Sequence, residues 1–137
     1  MKKDIIFHPV KGIQVAIVKS LNELQQEEWN VIVINRNEQP ITNVFVTSKG
    51  YSNSESGTNS DQKTSTLRHF FPEIAPSEHA VVEPIMPDVF HLNNEFWVSY
   101  FIGNQIYDKK FIFVPDSIID ANLTNIEPLG LQGVLHE

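Results

Sequence analysis

The string TSTLRHFF, residues 64 to 71, holds the most distinctive chemistry in the chain. It sets Arg68, one of two arginines, directly beside His69. A guanidinium is a bidentate donor to carboxylate and phosphate groups, and an imidazole titrates near neutral pH. Ser65 and Thr66 add hydroxyls, and Tyr51 lies across a polar loop from them. Arg68, His69 and Tyr51 are therefore the candidate ligand-binding residues, for an anion or a carbohydrate. The plainer reading is an edge strand with alternating faces. Thr64, Thr66, Arg68 and Phe70 would lie on one side, and Ser65, Leu67, His69 and Phe71 on the other. On that reading Arg68 pairs with a nearby glutamate. The glycine nest or helix N-terminus that usually frames an anion is missing from the pattern.

Other constellations are weaker. His8, His69, His79, His91 and His136 show no i,i+2 or i,i+4 pairing and no HExxH, so no metal is expected. No serine sits in G-x-S-x-G, and neither GxxxxGK[ST] nor GxGxxG occurs. Glu27-Glu28 reads as a solvated pair, and Asp116 with Asp120 as a mild repulsion on one helix face. Nothing here furnishes catalysis, so neither an enzyme nor a cofactor is expected. Trp29, Trp97, Phe101 and Tyr107 could stack on a sugar ring. Cross-strand packing explains them as well, and the face of Trp97 could anchor a protein contact.

The elements that would position these residues are strands. Residues 13–18, 29–34, 42–47, 64–71, 79–85, 96–102 and 106–114 are rich in β-branched and aromatic side chains. In 105–113 the odd positions Tyr107, Phe111 and Phe113 form a core face, with Lys109 near its rim. In 96–102 the residues Phe96, Val98, Tyr100 and Ile102 oppose Trp97, Ser99 and Phe101. Gly103-Asn104 between them is a hairpin signal. Asn35 to Gln39 reads as a turn whose Asn and Arg side chains bond freed backbone groups, and Pro40 ends the pairing. Residues 21–28 make a polar loop or one exposed helical turn. Residues 48–63 are so rich in Ser, Asn and Gly that a long mobile loop is expected. Ser117 is positioned to cap a short helical turn near 117–123. The tail 129–137 carries Leu131, Val134 and Leu135, which should pack on the body or on a partner.

The bulk numbers agree with one small domain spanning 1–137. A net charge of −7 with scattered lysines lacks the basic face that nucleic-acid binders carry, so no nucleic acid is expected. There is no cysteine, and the apolar residues after Lys2-Lys3 stop at His8-Pro9. The expectation is a cytoplasmic protein without membrane contact.

The strings WNVIVINRNEQPITNVFVTSKGY, TSTLRHFFPEIAP, NNEFWVSYFIG and IYDKKFIFVP resemble, over nearly the full length, a family of small uncharacterised all-β proteins from the Bacteroidetes group. Some of its members are labelled as phenylalanyl-tRNA synthetase subunits. This short, acidic chain without an ATP-binding signature gives that label no support. The order of strand, proline turn, strand, polar loop and PEIAPSE also resembles ApaG and fibronectin-like sandwiches, an analogy of architecture alone.

The expected fold is thus an all-β, immunoglobulin- or fibronectin-like antiparallel sandwich of about seven strands. The expected function is a non-catalytic interaction module, engaging a protein partner or itself as a homodimer. Trp97, Leu131, Val134 and Leu135 are its candidate interface residues. A small-ligand domain near the 48–69 loop and strand is the alternative.

Overall fold

Alternating β-branched and aromatic residues favour strands with one face buried, and two such sheets can bury each other. The computed structural model describes residues 9–53 and 62–137, and it shows that arrangement. Its strands are β1 (Ile13–Leu21), β2 (Glu27–Asn35), β3 (Ile41–Tyr51), β4 (Leu67–Ile74), β5 (His79–Pro84), β6 (Asn93–Ile102), β7 (Gln105–Phe113), β8 (Thr124–Ile126) and β9 (Leu131–His136). They form two antiparallel sheets, ordered β5-β2-β1-β9-β8 and β4-β3-β6-β7. We call these the first and second sheet. The protein is an all-β sandwich.

The core lies between them. Val15, Ile17, Val31 and Val33 of the first sheet meet Val44, Val46, Phe96, Val98, Tyr100, Phe111 and Phe113 of the second. Each such side chain contributes about 1.5–3 kcal/mol when withdrawn from water. The expected faces of β6 and β7 hold: Phe111 and Phe113 are buried, Lys109 is half-buried, and Trp97 points outward. The turn between them uses a positive φ of 58° at Gly103, where a side chain would be strained.

The structure adds two strands to the seven expected. The tail is not loose: β9 pairs with β1 from Val15↔His136 to Lys19↔Gln132, and β8 pairs with β9. Ile126 then packs with Ala16, Val18, Ile32 and Ile34, with Leu129, Leu131 and Leu135 against them. Most of the outer side of the first sheet is therefore covered by the chain's own residues, and Val81 stays exposed at the β5 edge. Gly133 permits the close approach, since a Cβ there would stand 2.9 Å from the Ile17 carbonyl oxygen.

Three loop expectations change. Residues 21–28 form no helical turn. Asn22 Oδ1 accepts from Leu24 N and Gln26 N, which closes a tight β1–β2 connection, and β2 starts at Glu27. The expected loop at 48–63 begins later, because β3 runs to Tyr51 and Lys63 bridges back to it. Its middle, 54–61, lies outside the described residues. The helical turn shrinks to a single 3₁₀ turn over Asp120–Asn122, and Ser117 does not cap it. Instead the Ser117 hydroxyl donates to the Val114 carbonyl.

One buried phenol gives the fold a pH signature. Burial first, and the neighbouring Tyr107 second, push Tyr100 from 10.0 up to about 12. The Tyr107 ring stacks on it at 5.3 Å. The unfolded chain ionises this tyrosine near its ordinary pKa of 10.0, and the folded chain resists until about 12. The contribution is fully present below the unfolded pKa and is lost as pH climbs through this window, by at most about 2–3 kcal/mol. Tyr100→Phe should flatten that loss. Urea unfolding of both proteins on either side of the window measures it.

Candidate functional site

Three features stand out on the sandwich: the outer face of the second sheet, the edge where β4 meets β5, and the buried β2–β3 turn.

The outer face is set by strand register. Thr47 is opposite both Arg68 and Trp97, and Trp97 is opposite Lys110. One row across the sheet is thus Arg68-Thr47-Trp97-Lys110. The next row is Phe70-Phe45-Ser99-Asp108, from the pairings Phe45↔Phe70, Phe45↔Ser99 and Ser99↔Asp108. Beyond it, Phe101 is opposite Ile106. Thr47 and Ser99 lie low between Phe45 and Trp97, and a shallow depression opens among Phe45, Thr47, Trp97, Ser99, Ile106 and Asp108. Phe45, Phe70, Trp97 and Ile106 remain 51%, 49%, 43% and 56% exposed. The Phe45 and Phe70 rings touch at a centroid distance of 4.8 Å, and the Lys110 ammonium sits 4.7 Å from the Trp97 ring centre. Grouped aromatics left in water mark a contact surface far better than single ones do.

Arg68 lies in this face and makes no ion pair among the described residues, so the structural bridge expected for it does not form there. Tyr51 lies further along the same face of β3. Its hydroxyl donates to Glu95 Oε1 at 3.1 Å, and the Lys49 ammonium stands 5.8 Å from its ring centre. Burial first, then the bond to Glu95 and that group's charge, raise the Tyr51 phenol above its ordinary pKa.

His69 points the other way, as strand alternation requires. Its Nε2 lies 2.7 Å from Glu83 Oε1, and the Ser48 hydroxyl donates to the same oxygen at 2.6 Å. The structure therefore separates the three residues of the expected ligand site. Arg68 and Tyr51 share the outer face, and His69 belongs to a Ser48–Glu83–His69 cluster at the β4–β5 edge. Glu83 reaches it through a bulge. Val31 is opposite Glu83 and Ile32 is opposite Val81, so Val82 is the extra residue on β5. A bulge re-aims side chains, and here Val82 and Glu83 both turn inward.

The aromatic platform imagined for a sugar is also divided. Tyr107 stacks on Tyr100 at the core side, and Trp29 packs edge-on against Phe90 at 5.1 Å. Only Trp97 and Phe101 share the outer face. Among the remaining candidates, His91 meets Gln62 at 2.7 Å and His136 packs against Phe111 and Phe113. Asp120 lies 3.7 Å from Lys19, and Glu27 lies 2.6 Å from it. Among the described residues no three His, Asp or Glu side chains are grouped to hold a metal ion, and no helix is long and apolar enough to cross a membrane.

The candidate interface residues divide too. Trp97 is exposed, whereas Val134 is buried in the core, and Leu131 and Leu135 pack over β1 and β2. Phe45, Phe70 and Ile106 were not singled out from sequence. Their odd-even placement on β3, β4 and β7 was the available signal.

Comparison with protein-family models yields no match, and no curated protein matches the sequence at a significant level.

Proposed function

We propose that the chain is a non-catalytic interaction module that joins a second copy of itself through the outer face of the second sheet. The asymmetry between the two outer faces carries this reading. The first sheet's face is largely covered by Ile126, Leu129, Leu131 and Leu135, with Val81 left exposed at the β5 edge, and the second sheet's face leaves Phe45, Phe70, Trp97 and Ile106 grouped in water.

A second copy suits this face for two reasons. A two-fold interface uses one patch twice, so the patch must complement itself. The rows place the bulk of Trp97 and Phe45 beside the hollows at Thr47 and Ser99, so knobs and holes are both present. Cations at Arg68 and Lys110 lie near the acid Asp108 on the neighbouring row, so opposite charges can meet across a two-fold axis. The local excess of positive charge also offsets part of the repulsion expected between two copies of net charge −7.

The strand orders support an immunoglobulin-like description. With the first seven strands named A, B, C, C′, E, F and G, the sheets read E-B-A and C′-C-F-G, and β8 and β9 extend the first beyond A. A cytoplasmic, reducing setting is part of the same reading and is supported by the absence of cysteine.

Sedimentation equilibrium tests the proposal. Wild type is expected to dimerise, and Trp97→Ser should weaken the dimer at least about 30-fold, as loss of a central anchor worth about 2 kcal/mol does. Phe45→Ser should act in the same direction. A monomeric wild type, or variants that associate like wild type, would overturn it.

A further inference from the structure

The two sheets part where β4 faces β5, and a cavity of about 220 Å³ lies in the opening. An apolar cavity of about 150 Å³ already holds a benzene ring. Leu67, Ile85, Val89 and Phe96 give this one apolar walls. Its polar wall presents oxygen. Glu83 is part of it, and its side chain is only 13% exposed. Glu83 Oε1 takes Ser48 and His69, and Oε2 has no partner among the described residues. Asn94 spends its amide nitrogen on the Val89 and Leu92 carbonyls, and its carbonyl oxygen has no partner among the described residues. That oxygen stands 3.5 Å, and Thr64 Cγ2 3.1 Å, from where a Gly50 Cβ would be, so a side chain at Gly50 would crowd this wall. Lys49 also borders the cavity, yet its ammonium turns to the outer face, 3.7 Å from Glu95.

Apolar walls with acceptors on one side and the lysine turned away fit one ligand chemistry. The geometry points to a binding site for a small apolar molecule that carries a primary ammonium. The ring or alkyl body fills the space against Leu67, Ile85, Val89 and Phe96, and the ammonium donates to Glu83 Oε2 and the Asn94 carbonyl. A carboxylate or phosphate ligand would meet the Glu83 charge with no lysine or arginine to offset it. This reverses the anion expectation for the region. The site opens at the β4–β5 edge and is independent of the Trp97 face.

Three probes of one shape separate the contributions: benzylamine, benzyl alcohol and benzoate. Each is titrated into the full chain while amide chemical shifts are followed. Benzylamine should bind saturably and move the amides of Ser48, Leu67, Glu83 and Phe96, and benzoate should bind at least about tenfold more weakly. Glu83→Gln keeps an acceptor oxygen for Ser48 and His69. It should lower benzylamine affinity at least about tenfold and leave benzyl alcohol nearly unchanged. Leu67→Trp at the exposed rim is a second variant that spares the buried cluster, and it should weaken benzylamine and benzyl alcohol together. Equal binding of benzoate and benzylamine, no saturable binding of benzylamine, or variants that bind it like wild type would each overturn the inference.

Discussion

Asn35→Ala should lower the free energy of unfolding by about 3–5 kcal/mol. The side chain is fully buried at the end of β2. Its amide nitrogen donates to the carbonyls of Gln39 at 2.9 Å, Ile74 at 3.0 Å and Ala75 at 3.3 Å. Its oxygen accepts from the backbone N–H and the side chain of Asn37, at 2.9 and 3.1 Å. One residue thus ties the β2–β3 turn to the β4–β5 turn and links the two sheets at that end. Backbone bonds from Asn35 N to the Glu78 carbonyl and from Ser77 N to the Asn35 carbonyl complete the joint. Alanine keeps those backbone bonds and strips the side-chain partners in a place with little water to replace them. Asn35→Asp should cost at least as much, because it sets an oxygen against three carbonyl oxygens. Urea denaturation of the three proteins at neutral pH measures the difference. A loss below about 1 kcal/mol for the alanine variant would mean that the joint is not what holds this end together.

Phe111→Ala should cost a similar amount, about 3–5 kcal/mol, by a different mechanism. The ring is fully buried between the sheets, opposite Phe96 in the β6–β7 ladder. His136 of β9 packs edge-on against it at 5.3 Å, and the Lys109 ammonium lies 5.0 Å from its centre. Removing the ring loses its transfer free energy and leaves a void where strands of both sheets meet. Rigid strands on both sides limit collapse into that void, so the cost should sit in the upper part of the usual range. Phe111→Leu refills most of the space and should recover more than half of the loss. Thermal and urea unfolding of both variants give the comparison. Equal losses for the two would argue against a tightly packed middle.

Strand alternation made much of the fold legible. The β6–β7 hairpin could be read position by position, because one side of each strand is apolar and the turn contains Gly103. The separation of Arg68 from His69 followed from the same rule. The turn at Asn35 also declared itself, although its five side-chain contacts depend on the distant Ile74 and Ala75. What escaped were features set by non-local pairing. Strand β8 has three residues, and β9 carries Gly133 where a strand would ordinarily carry bulk, so neither stands out in isolation. Glu83 carries no signal in the sequence, because the bulge at Val82 that turns it inward depends on pairing with β2. Alternation alone puts Ile106 opposite the core face of its strand and Phe70 on the side of Thr66 and Arg68, and it leaves Phe45 without a partner. Only the cross-strand register places them together with Trp97 on a face that no other described part of the chain covers.

The central claim is that this face receives a second copy of the protein. The most direct test is a dilution series of ¹⁵N-labelled wild type followed by amide chemical shifts. The account predicts that concentration-dependent shifts gather on β3, β4, β6 and β7 around Phe45, Phe70, Trp97 and Ile106, and that the core of the first sheet stays still. Shifts confined to β8 and β9, or none even at millimolar protein, would contradict it.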